Sequence, residues 1–128
     1  MKGSDANMPS FPALRDSRYP VHKIADQLEP YLRCLVERVH PEKVILFGSQ
    51  ACGEPTEHSD VDLLVIHREQ KAMLQGNLEV RRAFREAASE PLSFSIISLT
   101  AQDLREKLSK HEPLFEDIFR SGVELYAA

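Results

Sequence analysis

The stretch VILFGSQACGEPTEHSDVDLLVI, Val44 to Ile66, sets two apolar runs on either side of a polar loop. The first run, Lys43 to Phe47, is β-branched and bounded by Pro41 and Gly48, which predicts a buried strand. The loop from Gly48 to Ser59 contains Gly53 and Pro55, both breakers. A second buried strand is expected over Val61 to Ile66. Consecutive strands usually lie side by side, so the Gly48-Ser49 end of the loop should meet its Asp60-Val61-Asp62 end.

In a strand, residues two apart point to one side with about 6–7 Å between their Cα atoms. Asp60 and Asp62 are therefore expected to present two carboxylates together, with Val61 on the opposite face. Two anions that close repel, and neither is cheaply desolvated alone. A hard divalent cation such as Mg²⁺ resolves that conflict and leaves positions open for phosphate oxygens. A pair of such ions roughly 3.5–4 Å apart can hold both oxygens of a phosphoryl displacement. Gly48, without a side chain, lets a phosphate approach the backbone. Ser49 adds a hydroxyl and suits the start of a short helix, whose N-terminus favours anions.

Outward from this stretch the chain reads as one domain. At 128 residues and 14.5 kDa it is long enough for a single core. Residues 1–19 are expected to form a flexible N-terminal tail, and 20–128 the folded domain. A helical pattern from Val21 to His40 predicts two short helices or one kinked at Pro30. A looser helical stripe runs from Glu69 to Ala88, where Gly76 and Asn77 could interrupt it. A third strand is expected over LSFSIISL after Pro91, and a capping box from Thr100 to Asp103 should open a helix to about Lys110. A helix over Glu112 to Arg120, a C-cap at Gly122 and a strand at VELY complete the order. The fold class is α/β or α+β, a small mixed sheet flanked by helices.

Sixteen basic against twenty acidic residues give a net charge of −4, which argues against a long nucleic-acid footprint but not against one nucleotide. No apolar run approaches the roughly 18 residues of a membrane span, and no basic-plus-apolar leader opens the chain, so the cytoplasm is the expected compartment. Cys34 and Cys52 read as free thiols, and Cys52 with His58 makes a poor zinc site without further ligands. Arg81, Arg82 and Arg85 read chiefly as a solvated helix face, with reach to a triphosphate as the alternative. Tyr126 reads as packing for the last strand. Leu114, Phe115, Ile118 and Phe119 should mostly cover the sheet, leaving an apolar strip for a second copy or a helical partner.

The Gly-Ser, ten residues, Asp-x-Asp arrangement resembles the DNA polymerase beta-like nucleotidyltransferase superfamily, and more narrowly its minimal nucleotidyltransferases, over about residues 20 to 128. The resemblance implies that Gly48 and Ser49 contact nucleotide phosphates and that Asp60 and Asp62 are catalytic ligands of Mg²⁺. It implies a nucleoside triphosphate substrate, with ATP expected, whose nucleoside monophosphate passes to a hydroxyl as pyrophosphate leaves. Minimal members often pair with a helical HEPN protein, and some act as antitoxins that adenylylate it.

The sequence departs from that family at two places. A third carboxylate usually stands on the next core strand, where this chain has Ser95, with Ser93 on the same face. Neither hydroxyl replaces a carboxylate as metal ligand or base near neutral pH. Many minimal members also carry arginines where Gln50 and Cys52 stand here. Glu57 and Glu90 are candidate substitutes for the absent acid. The expected activity is a weakened Mg²⁺-dependent nucleotidyl transfer. The alternative is a non-catalytic nucleotide-binding or partner module, such as an antitoxin-like subunit.

Overall fold

The computed structural model describes residues 9–56 and 58–128. Four strands form one mixed sheet: β1 (Lys43–Phe47), β2 (Val61–His67), β3 (Phe94–Thr100) and β4 (Val123–Ala127). Their spatial order is β3-β2-β1-β4. β1 runs antiparallel to both β2 and β4, and β2 runs parallel to β3. Among the described residues four α-helices accompany them: α1 (Ala25–Val39), α2 (Met73–Phe84), α3 (Ala101–Ser109) and α4 (Pro113–Ser121). A parallel pair cannot be closed by a tight turn, and α2 is the crossover that returns the chain from β2 to β3. No helix among the described residues is long and apolar enough to cross a membrane.

Side chains alternate across a strand, and here both faces of the sheet are covered. Val44, Leu46, Leu63 and Val65 point into a core with Leu28, Leu32 and Leu35 of α1 and Val80 and Phe84 of α2. Ile45, Leu64, Ile66 and Leu99 point the other way, against Leu104 of α3 and Phe115 and Ile118 of α4. Double coverage is why β1 and β2 read as uninterrupted apolar runs. Asp62 departs from that pattern, a half-buried carboxylate at the start of β2 on the α3/α4 face, as does the buried His67 at its end.

Three expectations need correction. Of the predicted tail, Met1 to Met8 lie outside the described residues, but the boundary at residue 20 is too late. Phe11 and Leu14 are buried in the α1 core, the Phe11 ring lies 6.2 Å from that of Tyr126, and Arg15 bonds Asp26 and Glu29 at 2.8 and 2.5 Å. Two large apolar groups around a single 3₁₀ turn, Pro12–Arg15, are too short a pattern to register as periodicity. Pro30 neither breaks nor opens α1 but lies inside it. Its ring removes one backbone donor, at a cost set against the burial of Leu28, Tyr31, Leu32 and Leu35. Gly76 does not interrupt α2; it is buried where an added Cβ would come within 2.7 Å of Ser98 Cβ.

Candidate active site

The site lies at one end of the sheet, where β1 ends and β2 and β3 begin. In the antiparallel register Phe47 is paired with Asp62, so the chain leaving β1 turns directly beside the first carboxylate of β2. Gly48 makes that turn with φ of +78°. An ideal Cβ there would lie 2.0 Å from Asp62 Oδ2. The positive φ and the carboxylate against the bare Cα exclude an ordinary side chain on two separate grounds. The loop and the acid are thus built as one unit.

Gly48–Gln50 form a single 3₁₀ turn, with Ala51 N and Cys52 N both donating to Gly48 O at 3.0 and 3.1 Å. This corrects the expectation of a helix beginning at Ser49: three residues carry no appreciable macrodipole. Any affinity for phosphate here has to come from local groups such as the Ser49 hydroxyl. Gln50 is buried and Cys52 exposed, so only the second of the two arginine-replacing positions faces outward.

Asp60 lies just before β2 and is exposed. Val61 N donates to Ser93 O at 2.8 Å, which fixes the start of β2 against the approach to β3. Burial pushes the Asp62 carboxyl above the usual carboxylate range, and the negative charge of Asp60 pushes the same way. No ion pair to Asp60 or Asp62 occurs among the described residues. Among the described residues, then, no cationic side chain pairs with either carboxylate, and the Asp60 charge bears on Asp62 as the spacing foresaw.

Ser95 is the register partner of Asp62 on the parallel strand, so its hydroxyl shares the carboxylate's face. The serine expected to stand in the third acid's place is thus beside Asp62. Glu57 lies outside the described residues. Glu90 is anchored elsewhere, its carbonyl accepting from Tyr31 Oη at 2.8 Å. No cluster of three His, Cys, Asp or Glu side chains occurs among the described residues. The donor set is two carboxylates. That set fits Mg²⁺, which is held through one or two carboxylates and completes its shell with water and phosphate oxygens.

The α2 arginines lie on the helix that covers the opposite face of the sheet. Val80 and Phe84 turn α2 toward the α1 side of the sheet, opposite Asp62 and Ser95, and Arg81 donates to Phe94 O at 3.1 Å. Sequence reasoning missed α4. Asp117 and Ser121 of α4 line a pocket that also touches Phe47, Gly48 and Cys52. Only the amphipathic pattern of HEPLFEDIF hinted that this helix would pack near the loop.

The family described as "Polymerase beta, Nucleotidyltransferase" matches residues 31–128 of the chain. The chain belongs to the polymerase beta nucleotidyltransferase family. Among solved structures, it is similar to a proposed nucleotidyltransferase from Sulfolobus solfataricus, with 19% identity, a TM-score of 0.46, and coverage of 79% of this chain and 86% of that one. No curated protein matches the chain.

Proposed function

We propose that the protein is a minimal nucleotidyltransferase that binds a Mg²⁺-nucleoside triphosphate, ATP in the first instance, and transfers the nucleoside monophosphate slowly to a hydroxyl. The observation that supports this reading is the close approach of Asp62 Oδ2 to the bare Cα of Gly48, with Phe47 paired to Asp62, which sets the Gly48-Ser49 turn beside the Asp60-Asp62 carboxylates. Asp60 and Asp62 would hold the metal. Bound there, Mg²⁺ supplies positive charge to the phosphate oxygens and lowers the cost of the developing negative charge.

Gly48, by offering no side chain, lets the Asp62 carboxylate lie against the turn, and Ser49 offers the phosphates a donor. The acceptor oxygen forms a bond to the α-phosphorus as the bond to the bridging oxygen of pyrophosphate breaks. The acceptor's proton must go to solvent, because Ser95 cannot take it at neutral pH. A missing general base typically costs about 10²–10⁴-fold in rate. The second reading, a non-catalytic nucleotide-binding subunit controlling a helical HEPN-type protein, is favoured by that same serine beside Asp62.

Calorimetry with Mg²⁺-ATP tests binding. The wild type should bind and the Asp60→Ala, Asp62→Ala double variant should not; equal binding by both would remove the site. Incubation with radiolabelled ATP, Mg²⁺ and candidate acceptors separates the two readings. Label transferred by the wild type and lost in Asp62→Ala marks an enzyme, whereas binding without any transfer marks the subunit.

A further inference from the structure

Phe47 connects the acid pair to a second feature. It faces Asp62 in the β1–β2 register and therefore lies on the α3/α4 side of the sheet. Beyond it, between the Gly48 turn and α4, is an open pocket of about 260 Å³. Its apolar walls are Phe47, Leu114 and Ile118, and Leu114 stays 48% exposed at the rim. This is room for a flat heterocycle, immediately next to the loop that would carry its phosphates.

The polar side chains of the pocket are those of Cys52, Asp117 and Ser121. Ser121 Oγ already donates to the Asp117 carbonyl at 3.0 Å. The Asp117 carboxylate pairs with Arg120 at 2.8 Å, but both side chains are largely exposed, so the pairing is weak and exchangeable. An ionised carboxylate accepts hydrogen bonds and donates none. It also repels phosphates, which orients a nucleotide with its polyphosphate toward Gly48 and its base toward α4.

We propose that this pocket receives the nucleobase and that Asp117 selects bases bearing an exocyclic amine, such as adenine and cytosine, over uracil. The inference rests on the nucleotide-binding reading above and adds the base preference to it. Cytosine and uracil have the same ring and differ at one edge, an amine against a carbonyl. Facing Asp117, the amine donates, while the carbonyl oxygen meets a second acceptor and gains no hydrogen bond from it.

Calorimetry on the full chain with the Mg²⁺ complexes of CTP, UTP, ATP and inorganic tripolyphosphate tests it. CTP and ATP should bind about tenfold or more tightly than UTP, the discrimination one charge-assisted hydrogen bond provides. In Asp117→Asn, whose amide can turn to donate or accept, the CTP-to-UTP ratio should fall to within about threefold. Tripolyphosphate binding together with equal CTP and UTP affinities overturns the base pocket while leaving the phosphate site standing. A CTP preference that persists in Asp117→Asn also overturns it. Failure of all four to bind overturns this inference together with the reading beneath it.

Discussion

At Asp62, burial and the neighbouring charge of Asp60 act in the same direction, raising the carboxyl above its usual range. A carboxyl raised on folding contributes its stability while protonated, and loses it as pH rises from the ordinary Asp range through the raised folded value. Asp62→Asn should therefore be more stable than the wild type near pH 7, by under about 1 kcal/mol because the site is partly solvated. The gap should close as pH falls toward the ordinary Asp range, and thermal melts across pH would show it. Saturating Mg²⁺ should raise the wild-type melting temperature and leave that of Asp62→Asn unmoved. A wild type that melts above Asp62→Asn at neutral pH without metal would contradict the repulsion.

Ser95 gives the complementary experiment at the same scale. Ser95→Asp places a carboxylate on the strand beside Asp62 and in its register. Nucleotidyl transfer should rise about 10²-fold or more if a missing base limits the rate. Without metal the third negative charge should lower stability. Retained Mg²⁺-ATP binding with no gain in transfer would place the limitation elsewhere, in the acceptor or in a partner.

Among the secondary elements, α3 shows how local chemistry sets a boundary. Thr100 Oγ1 accepts from Asp103 N at 3.2 Å, and Asp103 Oδ2 accepts from Thr100 N at 3.3 Å, closing a capping box at the end of β3. Thr100 Oγ1 also donates to Gln70 Oε1 at 3.3 Å, tying α3 to the segment after β2. Thr100→Ala should cost about 1–2 kcal/mol in a denaturant melt. This box was legible because its residues lie within one turn of each other. The uninterrupted course of α1 through Pro30 was not, because a proline's local penalty is visible in sequence and the packing that offsets it is not.

Across the whole molecule, the folded unit begins before α1. Leu14 is fully buried, and its removal should open a cavity against the α1 core. Leu14→Ala should destabilise the protein by about 2–5 kcal/mol, a result inconsistent with a free tail and readable in the midpoint of urea unfolding. A change within about 0.5 kcal/mol would restore the tail.

Sequence by itself determined the element order and the two apolar runs. It also determined the ten-residue spacing that brings Gly48-Ser49 to Asp60-Asp62, because these depend on contiguous periodicity and one short connection. Tertiary structure alone decided which face Asp62 occupies and that Ser95 stands beside it. It also laid α2 on the opposite face of the sheet and brought Asp117 of α4 to the mouth of the Gly48 turn. Period-two alternation says which residues share a side, but not which helix covers that side. That assignment is made by strand pairing and helix packing between segments far apart in the chain, whose free energy lies in contacts that no local window contains.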